Sequence, residues 1–429
     1  MTAEPDLPTV ERARVAVALV FGLNGLAFAS WLARLPALRE ALGLSTGELG
    51  LLLLCISVGS VAGLPTSGPL IARFGPGPVV VGAASLSAAG LLLVSLGVAV
   101  TTIPLVGVGL VLTGLGIGSW DVGMNVEGAD VERRLGRDIM PRFHAGFSVG
   151  TVLGALIGAG AAAVELPVQV QLAATAVAVW VGVGLCVRAF LPVLPRAQDA
   201  PAGLPVSRAW REPRTLLIGL LVLCFAFTEG TANDWLAVAL VDGHGTSEAV
   251  GALGFACFVS SMTVCRAVAG SLLSRFGRPL VLRTSAALGV LGLLLVVLGP
   301  SLPVVVLGTL LWGAGASLGF PVGMSAAADD PHGAAVRVSV VSSIGYTAFL
   351  AGPPLIGVLA EPERWGILSA LLVTLVALLV GGAVAGQAAP LAPSAATGGS
   401  DASSADVTGA RVSAADPTTA AGARRPAGG

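Results

Sequence analysis

Twelve long apolar runs dominate this chain, near 15–33, 48–71, 77–100, 104–126, 143–164, 168–190, 214–236, 248–272, 279–299, 302–325, 336–358 and 364–386. A helix of roughly 20 apolar residues is what a bilayer core requires. The runs are continuous, whereas a closed barrel would need short segments of alternating polarity. Helix is therefore the expected state, because a lone strand leaves its backbone polar groups unsatisfied in lipid.

Composition agrees with lipid as the solvent. Apolar residues make up 55% of the 429, charged residues only 11%, and mean hydropathy is +0.90. A soluble chain usually carries about 25% charged residues. The formal net charge of −1 offers no basic field to nucleic acid. Every basic residue is Arg. The five cysteines lie in apolar stretches and form no close C-x-x-C pair, and there are three histidines. Neither a disulfide framework nor a metal site is expected, and no cofactor motif is present. Val15–Leu32 runs into Arg34 and Arg39 without a small-residue cleavage pattern, so it reads as the first span rather than a signal peptide.

Arginine placement predicts orientation. Arg12, Arg14, Arg73, Arg133, Arg134, Arg137, Arg142, Arg188, Arg196, Arg208, Arg211, Arg214, Arg275, Arg278, Arg283 and Arg337 fall on one side of a twelve-span topology. Arg34, Arg39 and Arg364 fall on the other. The positive-inside rule puts the rich side, with both termini, in the cytoplasm. That assignment suits an even number of spans.

The chain also repeats itself. Gly68–Gly75 reads GPLIARFG and Gly270–Gly277 reads GSLLSRFG. Trp120–Asn125 (WDVGMN) is echoed by Phe320–Ser325 (FPVGMS), and Trp31-Leu32-Ala33 by Trp235-Leu236-Ala237. The similar offsets imply two homologous six-helix halves related by an axis along the membrane normal. The expected divisions are 1–190, a linker 191–213, a second half 214–386 and a disordered cytoplasmic tail 387–429 rich in Ala, Ser, Thr, Pro and Gly. Gly150, Gly154 and Gly158 recur every four residues, which suits a close helix contact.

Two halves with G-x-L-x-x-R-F-G-like turns resemble the major facilitator superfamily, over about residues 12–386. The resemblance implies an all-α membrane fold of two six-helix bundles and a transporter. The family's turn usually carries Asp before the Arg; here Ala72 and Ser274 stand there, while Arg73 and Arg275 remain. The family's charge relay is thus incomplete, and gating is expected to use Arg73 and Arg275 against helix C-termini. ASWLARLPALRE at 29–40, EGTANDW at 229–235 and the stretch 121–150 look like the fucose-permease-like branch and uncharacterised bacterial inner-membrane relatives. In the sugar carriers of that branch, intramembrane carboxylates couple protons; the resemblance carries that role to Glu229 and Asp121.

Ionisable groups inside a span are costly unless they meet water, a partner or a proton. Glu229 lies deep in the seventh span with Asn233 one turn on along the same face, while Asp234 points elsewhere, toward an outer interface or gate. For Glu229, coupling competes with a buried ion pair. Asp121 and Asn125 form a second such face in the fourth span, beside Trp120, whose indole could cover an apolar sugar face. Asn24 can line the same cavity or join helices. Arg266, two turns from the end of the eighth span, suits a carboxylate or an anionic substrate, with snorkelling as the alternative. Glu127 is expected to pair with Arg133 or Arg134 in a gate. His144 can sense or relay a proton, or serve as a solvated cap or gate contact. No nucleophile–base triad or other enzymatic constellation is visible, so no enzyme is expected. A proton-coupled carrier of a small solute, sugar-like in chemistry and working as a monomer, is the leading reading. Its rivals are a proton-driven exporter of amphipathic compounds and a non-transporting membrane receptor or assembly protein.

Overall fold

The computed structural model describes residues 7–136, 139–191, 206–330 and 333–391. The tail expected over 387–429 and the linker expected over 191–213 therefore lie largely outside the described residues, as do Arg137, Arg196 and His332. Sixteen α-helices follow one another: α1 (Leu7–Leu32), α2 (Leu35–Leu42), α3 (Thr46–Phe74), α4 (Pro76–Ala99), α5 (Ile103–Leu135), α6 (Met140–Ala163), α7 (Val168–Cys186), α8 (Val206–Ala209), α9 (Pro213–Val238), α10 (Glu248–Phe276), α11 (Arg278–Leu298), α12 (Leu302–Ala316), α13 (Gly319–Ala327), α14 (Ala334–Leu359), α15 (Gly366–Leu371) and α16 (Val373–Val384). Joined across short irregular turns, they give twelve helices long and apolar enough to cross a membrane. The expected spans are all found, although α5 continues nine residues past 126 to Leu135. The sequence reading missed α2, a short helix between the first two spans, and the break between α12 and α13.

Local chemistry starts and stops the helices. Ser45 accepts from the Glu48 N–H at 3.2 Å while the Glu48 side chain accepts from the Ser45 N–H at 2.9 Å, a capping box that opens α3. Ser247 caps α10 in the same role. Proline occupies a first-turn position of α4, α5, α6, α9, α11 and α12, where a missing N–H costs nothing. The repeated turns end on Gly75 (φ 83°) and Gly277 (φ 75°), a left-handed conformation that a Cβ disfavours. That requirement explains why the glycine survives in both echoes.

Packing repeats between the halves. In each, the first span lies on the fifth (α1 on α6, α9 on α14) and the second on the fourth (α3 on α5, α10 on α12). The glycine stripe of α6 is the close contact expected of it. A Cβ on Gly150 would collide with the Gly22 carbonyl of α1, and one on Gly154 would lie 2.5 Å from the Leu26 carbonyl. The third and fourth spans repeat the device: a Cβ on Gly90 would lie 2.5 Å from the Gly109 carbonyl, and one on Gly292 2.6 Å from the Gly308 carbonyl. Without a hydrophobic driving force between helices in lipid, close backbone packing takes over that role. The halves meet where α3 lies against α14 and α6 against α10. The result is an all-α membrane fold of two pseudo-symmetric six-helix bundles.

Candidate functional site

The interface between the halves carries polar groups at two levels: a seal at the Arg-poor end and a cluster at mid-depth. The seal is made by three contacts. Arg39 on α2 pairs with Asp242, in the π-helical turn Ala239–Gly243 that ends the seventh span. Arg34 faces Glu248 at the start of α10 at 3.6 Å. The Gly47 N–H donates to Glu361 Oε1 at 2.7 Å. In each, the first half supplies the donor and the second half the carboxylate. Glycines then let the backbones touch: a Cβ on Gly50 would lie 2.7 Å from the Pro353 carbonyl, and one on Gly357 2.6 Å from the Thr46 carbonyl.

Arg34 is fixed before the second half reaches it. Its guanidinium donates to Gln171 Oε1 at 3.0 Å and to the Leu166 carbonyl at 2.9 Å, and Gln171 in turn donates to Ser30. Only 4% exposed, its basicity is pulled down by burial, with Glu248 opposing that shift. Arginine nevertheless stays charged, since its ordinary value lies far above neutrality. A preorganised cation therefore waits for Glu248. Sequence inspection placed Arg34 and Arg39 on this side but did not find Asp242, Glu248 or Glu361 as their partners.

At mid-depth, Glu229 on α9 is ion-paired with Arg266 on α10 at 3.0 Å. Arg266 also donates through Nε to the Ser317 carbonyl at 3.0 Å, at the break between α12 and α13. The helix interruption thus supplies a free carbonyl for the guanidinium. His144, on α6 of the other half, lies within electrostatic reach of Arg266, is exposed, and meets Phe21 edge-on at 5.2 Å. Asp121 and Asn125 hold each other: the Asn125 amide donates to Asp121 Oδ1 at 3.3 Å and to the Asp121 carbonyl at 2.8 Å. Tyr346, the only tyrosine in the chain, lies on α14 of the other half. Tyr346 was missed from sequence, although a lone phenol within a span is itself a signal. Its ring lies 6.4 Å from Phe320 and 6.2 Å from Phe349.

Several expected roles change. Trp120 is fully buried in the core of the first half, so its indole is not available to cover a sugar. One residue along a helix turns the side chain by roughly 100°, which separates Trp120 from Asp121. Asn24 is 1% exposed and turned toward Met124, with its Nδ2 3.7 Å from the Met124 sulfur, so it joins α1 to α5 rather than lining open space. Glu127 does not pair with Arg133 or Arg134. It accepts from the Leu191 N–H at 2.6 Å, while Asp130 takes both arginines, Arg134 at 2.9 Å. Asp130 lies three and four residues before them, the helical spacing that lets side chains meet. Arg73 and Arg275 stack over their own neighbours Phe74 and Phe276, at 5.1 and 5.2 Å, with no hydrogen bond to a helix C-terminus among the described residues. Asp234 takes no part in the seal and makes no hydrogen bond or ion pair among the described residues; Asp242, two turns further on, does the sealing. Asn233 is buried beside Glu229 on the same helix. Among the described residues no cluster could hold a metal ion.

Residues 17–262 match the family model of the Major Facilitator Superfamily, more than half of the chain. The chain belongs to the major facilitator superfamily. An uncharacterized transporter of Sinorhizobium fredii, y4wD, is 35% identical over 356 residues, covering 80% of this chain and 90% of that one. An uncharacterized MFS-type transporter of Yersinia pestis is 30% identical, over 85% and 94% of the two chains. Among solved structures, the nucleoside transporter NupG superimposes with a TM-score of 0.74 at 15% identity, over 88% of this chain and 98% of that one. The Escherichia coli fucose:proton symporter FucP gives 0.61 at 17%, again over 88% and 98%. At such identities the structural likeness establishes the fold. Membership in the superfamily makes the chain a secondary transporter of a small solute, with the bilayer as its solvent.

Proposed function

We propose that this major facilitator protein couples movement of a small polar solute to protons by alternating access. The reading is carried by the asymmetry of the interface: polar groups of both halves meet at mid-depth beneath a seal closed at the Arg-poor end. With the Arg-rich end in the cytoplasm, as the positive-inside rule assigns it, this is a state shut toward the outside of a bacterial inner membrane. Rocking of the halves would break the three seal contacts and open the other side of the same site. The names of NupG and FucP, a nucleoside transporter and a fucose:proton symporter, support the reading of a polar solute and of a fucose-permease-like carrier. One chain holds a complete pathway, so a monomer suffices, and transport without covalent catalysis is its whole task.

Glu229 is the leading coupling group. Its protonation removes the countercharge of Arg266, on the helix α10 that packs against α6 of the opposite half, and so alters the cost of bringing the halves together. Asp121 is the second carboxylate available for that role. Proton-driven uptake into sealed proteoliposomes tests the assignment. Glu229→Gln is expected to lose coupling while retaining solute exchange, and unchanged coupling would sink it. Export of amphipathic compounds is favoured by one observation, the aromatic ridge of Phe320, Tyr346 and Phe349. A counterflow screen with sugars and hydrophobic cations separates the two readings, since a preference for hydrophobic cations with no sugar response favours export.

A further inference from the structure

We infer that the solute carries a carboxylate, which takes the place of Glu229 on Arg266 when Glu229 is protonated. The inference deepens the proton-coupled transporter reading and rests on it for the proton. The anion site itself stands on the contacts of Arg266.

Arg266 is anchored on one edge and shared on the other. Its Nε donates at 3.0 Å to the carbonyl of Ser317, a fully buried residue at the break between α12 and α13. That bond holds the guanidinium at this depth and keeps it from snorkelling out when Glu229 lets go. Nη2 donates to Glu229 Oε2 at 3.0 Å, while Nη1 has no partner among the described residues. The Arg266 and Glu229 side chains are 29% and 17% exposed, so the pair is open to a small ligand. The edge formed by Nη1 and Nη2 is a planar fork that a carboxylate fits with two parallel hydrogen bonds.

A proton on Glu229 leaves this guanidinium as an uncompensated cation among spanning helices, which is strongly unfavourable. The elements packed against α9 and α10 supply no second carboxylate at that level. Helices α12, α13 and α16 carry no ionisable side chain, and α14 brings Tyr346, neutral near pH 7, and Arg337, which is held by Glu212. Helix α6, against α10, brings His144 and no carboxylate. On α9 itself, Arg214 is held by Asp329, and Asp234 leaves the helix on a different face from Glu229. Glu40, Asp242 and Glu248 belong to the Arg-poor end, and Glu11 and Arg275 to the other. A neutral polyol can hydrogen-bond the fork but brings no charge, and an ammonium group meets repulsion. An anion restores the balance. Arg266 is therefore paired in two states: the empty site with Glu229 charged, and the loaded site with Glu229 protonated. Proton and carboxylate enter together, and the loaded site has the same net charge as the empty one.

Three acid–amide pairs provide the test on the purified full chain in detergent: D-glucuronate with D-glucuronamide, lactate with lactamide, and benzoate with benzamide. The readouts are thermal protection and competition among the probes. At least one carboxylate is expected to protect the protein, with its amide at least tenfold weaker. Glu229→Gln, neutral at every pH, should bind that carboxylate at least fivefold more tightly than the parent, and Arg266→Lys about tenfold more weakly. As pH falls from about 7.5 to about 5.5, the parent should tighten by up to about tenfold per unit, the limit for one proton taken up with one anion. Glu229→Gln should stay flat over that range; both proteins keep His144, so the difference reports Glu229. No response to any carboxylate, equal protection by the amides, or no tighter binding in Glu229→Gln overturns the inference. If Arg266→Lys fails to fold, Arg266→Gln combined with Glu229→Gln, which leaves no orphan charge, decides in its place. That double variant should lose the carboxylate preference, and a preference that survives in it overturns the inference. Because binding is read without flux, carboxylate binding with no proton-driven uptake in proteoliposomes defeats the transporter reading and spares the anion site. Proton-driven flux of a neutral sugar without carboxylate binding does the reverse.

Discussion

The two ends of the molecule use the same chemistry for opposite purposes. At the Arg-rich end the ion pairs seen among the described residues close within one half. Asp329 receives Arg214 at 2.9 Å and Arg278 at 2.7 Å, Arg337 reaches Glu212 at 2.6 Å, and Asp130 holds Arg133 and Arg134. At the Arg-poor end Arg39–Asp242 and Arg34–Glu248 cross from one half to the other. Pairs within a half fasten its helices together whichever way the halves rock. Under the alternating-access proposal, pairs across the interface would form in one conformation and be lost in the other, so they would bias the equilibrium between states.

Glycine substitutions should break this contrast most sharply. Gly150→Leu would force a side chain into the Gly22 carbonyl inside the first half and is expected to destabilise the fold by about 3 kcal/mol or more, read as loss of folded protein in detergent. Gly357→Leu meets the Thr46 carbonyl across the interface instead. It should leave the halves folded and hold the Arg-poor end apart, seen as a longer spin-label distance between α3 and α14. Equal loss of folding in both variants would erase the distinction between fixed and conditional contacts.

Next in size is the mid-depth pair. Truncating one partner of a buried ion pair costs about 3–5 kcal/mol, and the partial exposure of Glu229 (17%) and Arg266 (29%) favours the lower end. Arg266→Met alone should therefore lower thermal stability more than Arg266→Met combined with Glu229→Gln, which leaves no orphan charge. Additive losses in the double variant would argue that the two side chains do not act as a pair.

Reversing Arg39 to Glu should shift the population toward the state open at the Arg-poor end by about fivefold, because a partly exposed pair is worth about 1 kcal/mol. Adding Asp242→Arg should restore the distance distribution. Failure of the double reversal to restore it would remove Arg39–Asp242 from the seal.

The smallest effect belongs to the Arg-rich end. The hydrogen bond from Arg337 holds Glu212 below the ordinary glutamate value of about 4.5, with a smaller opposing effect of burial and further help from Thr215. A lowered native value means that the contribution is complete above the unfolded value and is lost as pH falls through the folded one. Glu212→Gln should thus cost a few tenths of a kcal/mol, up to about 1, at pH 7 and progressively less as pH falls below the ordinary glutamate range, checked by thermal unfolding across that range. No change in the accessibility of the Arg-poor end is expected, since this pair lies within one half.

Much of the fold was legible because the bilayer imposes a one-dimensional rule. A run of apolar residues of the right length must be a helix, and the twelve runs show that in sequence. The repeated turns at Gly75 and Gly277 were equally visible, since a backbone of positive φ demands a residue type at a position. The ion-paired groups were harder. Glu229 and Arg266 were recognised singly because charges within spans are rare, but their pairing depends on how α9 and α10 face each other. Glu127 was assigned to the wrong partner since sequence proximity to Arg133 and Arg134 does not say that Leu191 returns to the same place. Tyr346 went unnoticed because its ring neighbours, Phe320 among them, come together only in the folded chain.

Lipid solvation and helix length, both local properties of the chain, determined the class of protein, its span count and its internal repeat. The tertiary structure alone decided which end is shut, that Asp242 and Glu248 complete the seal, and that Trp120 turns into a core. Those outcomes depend on the rotation of each helix and on contacts between residues far apart in sequence, and neither periodicity nor composition encodes them.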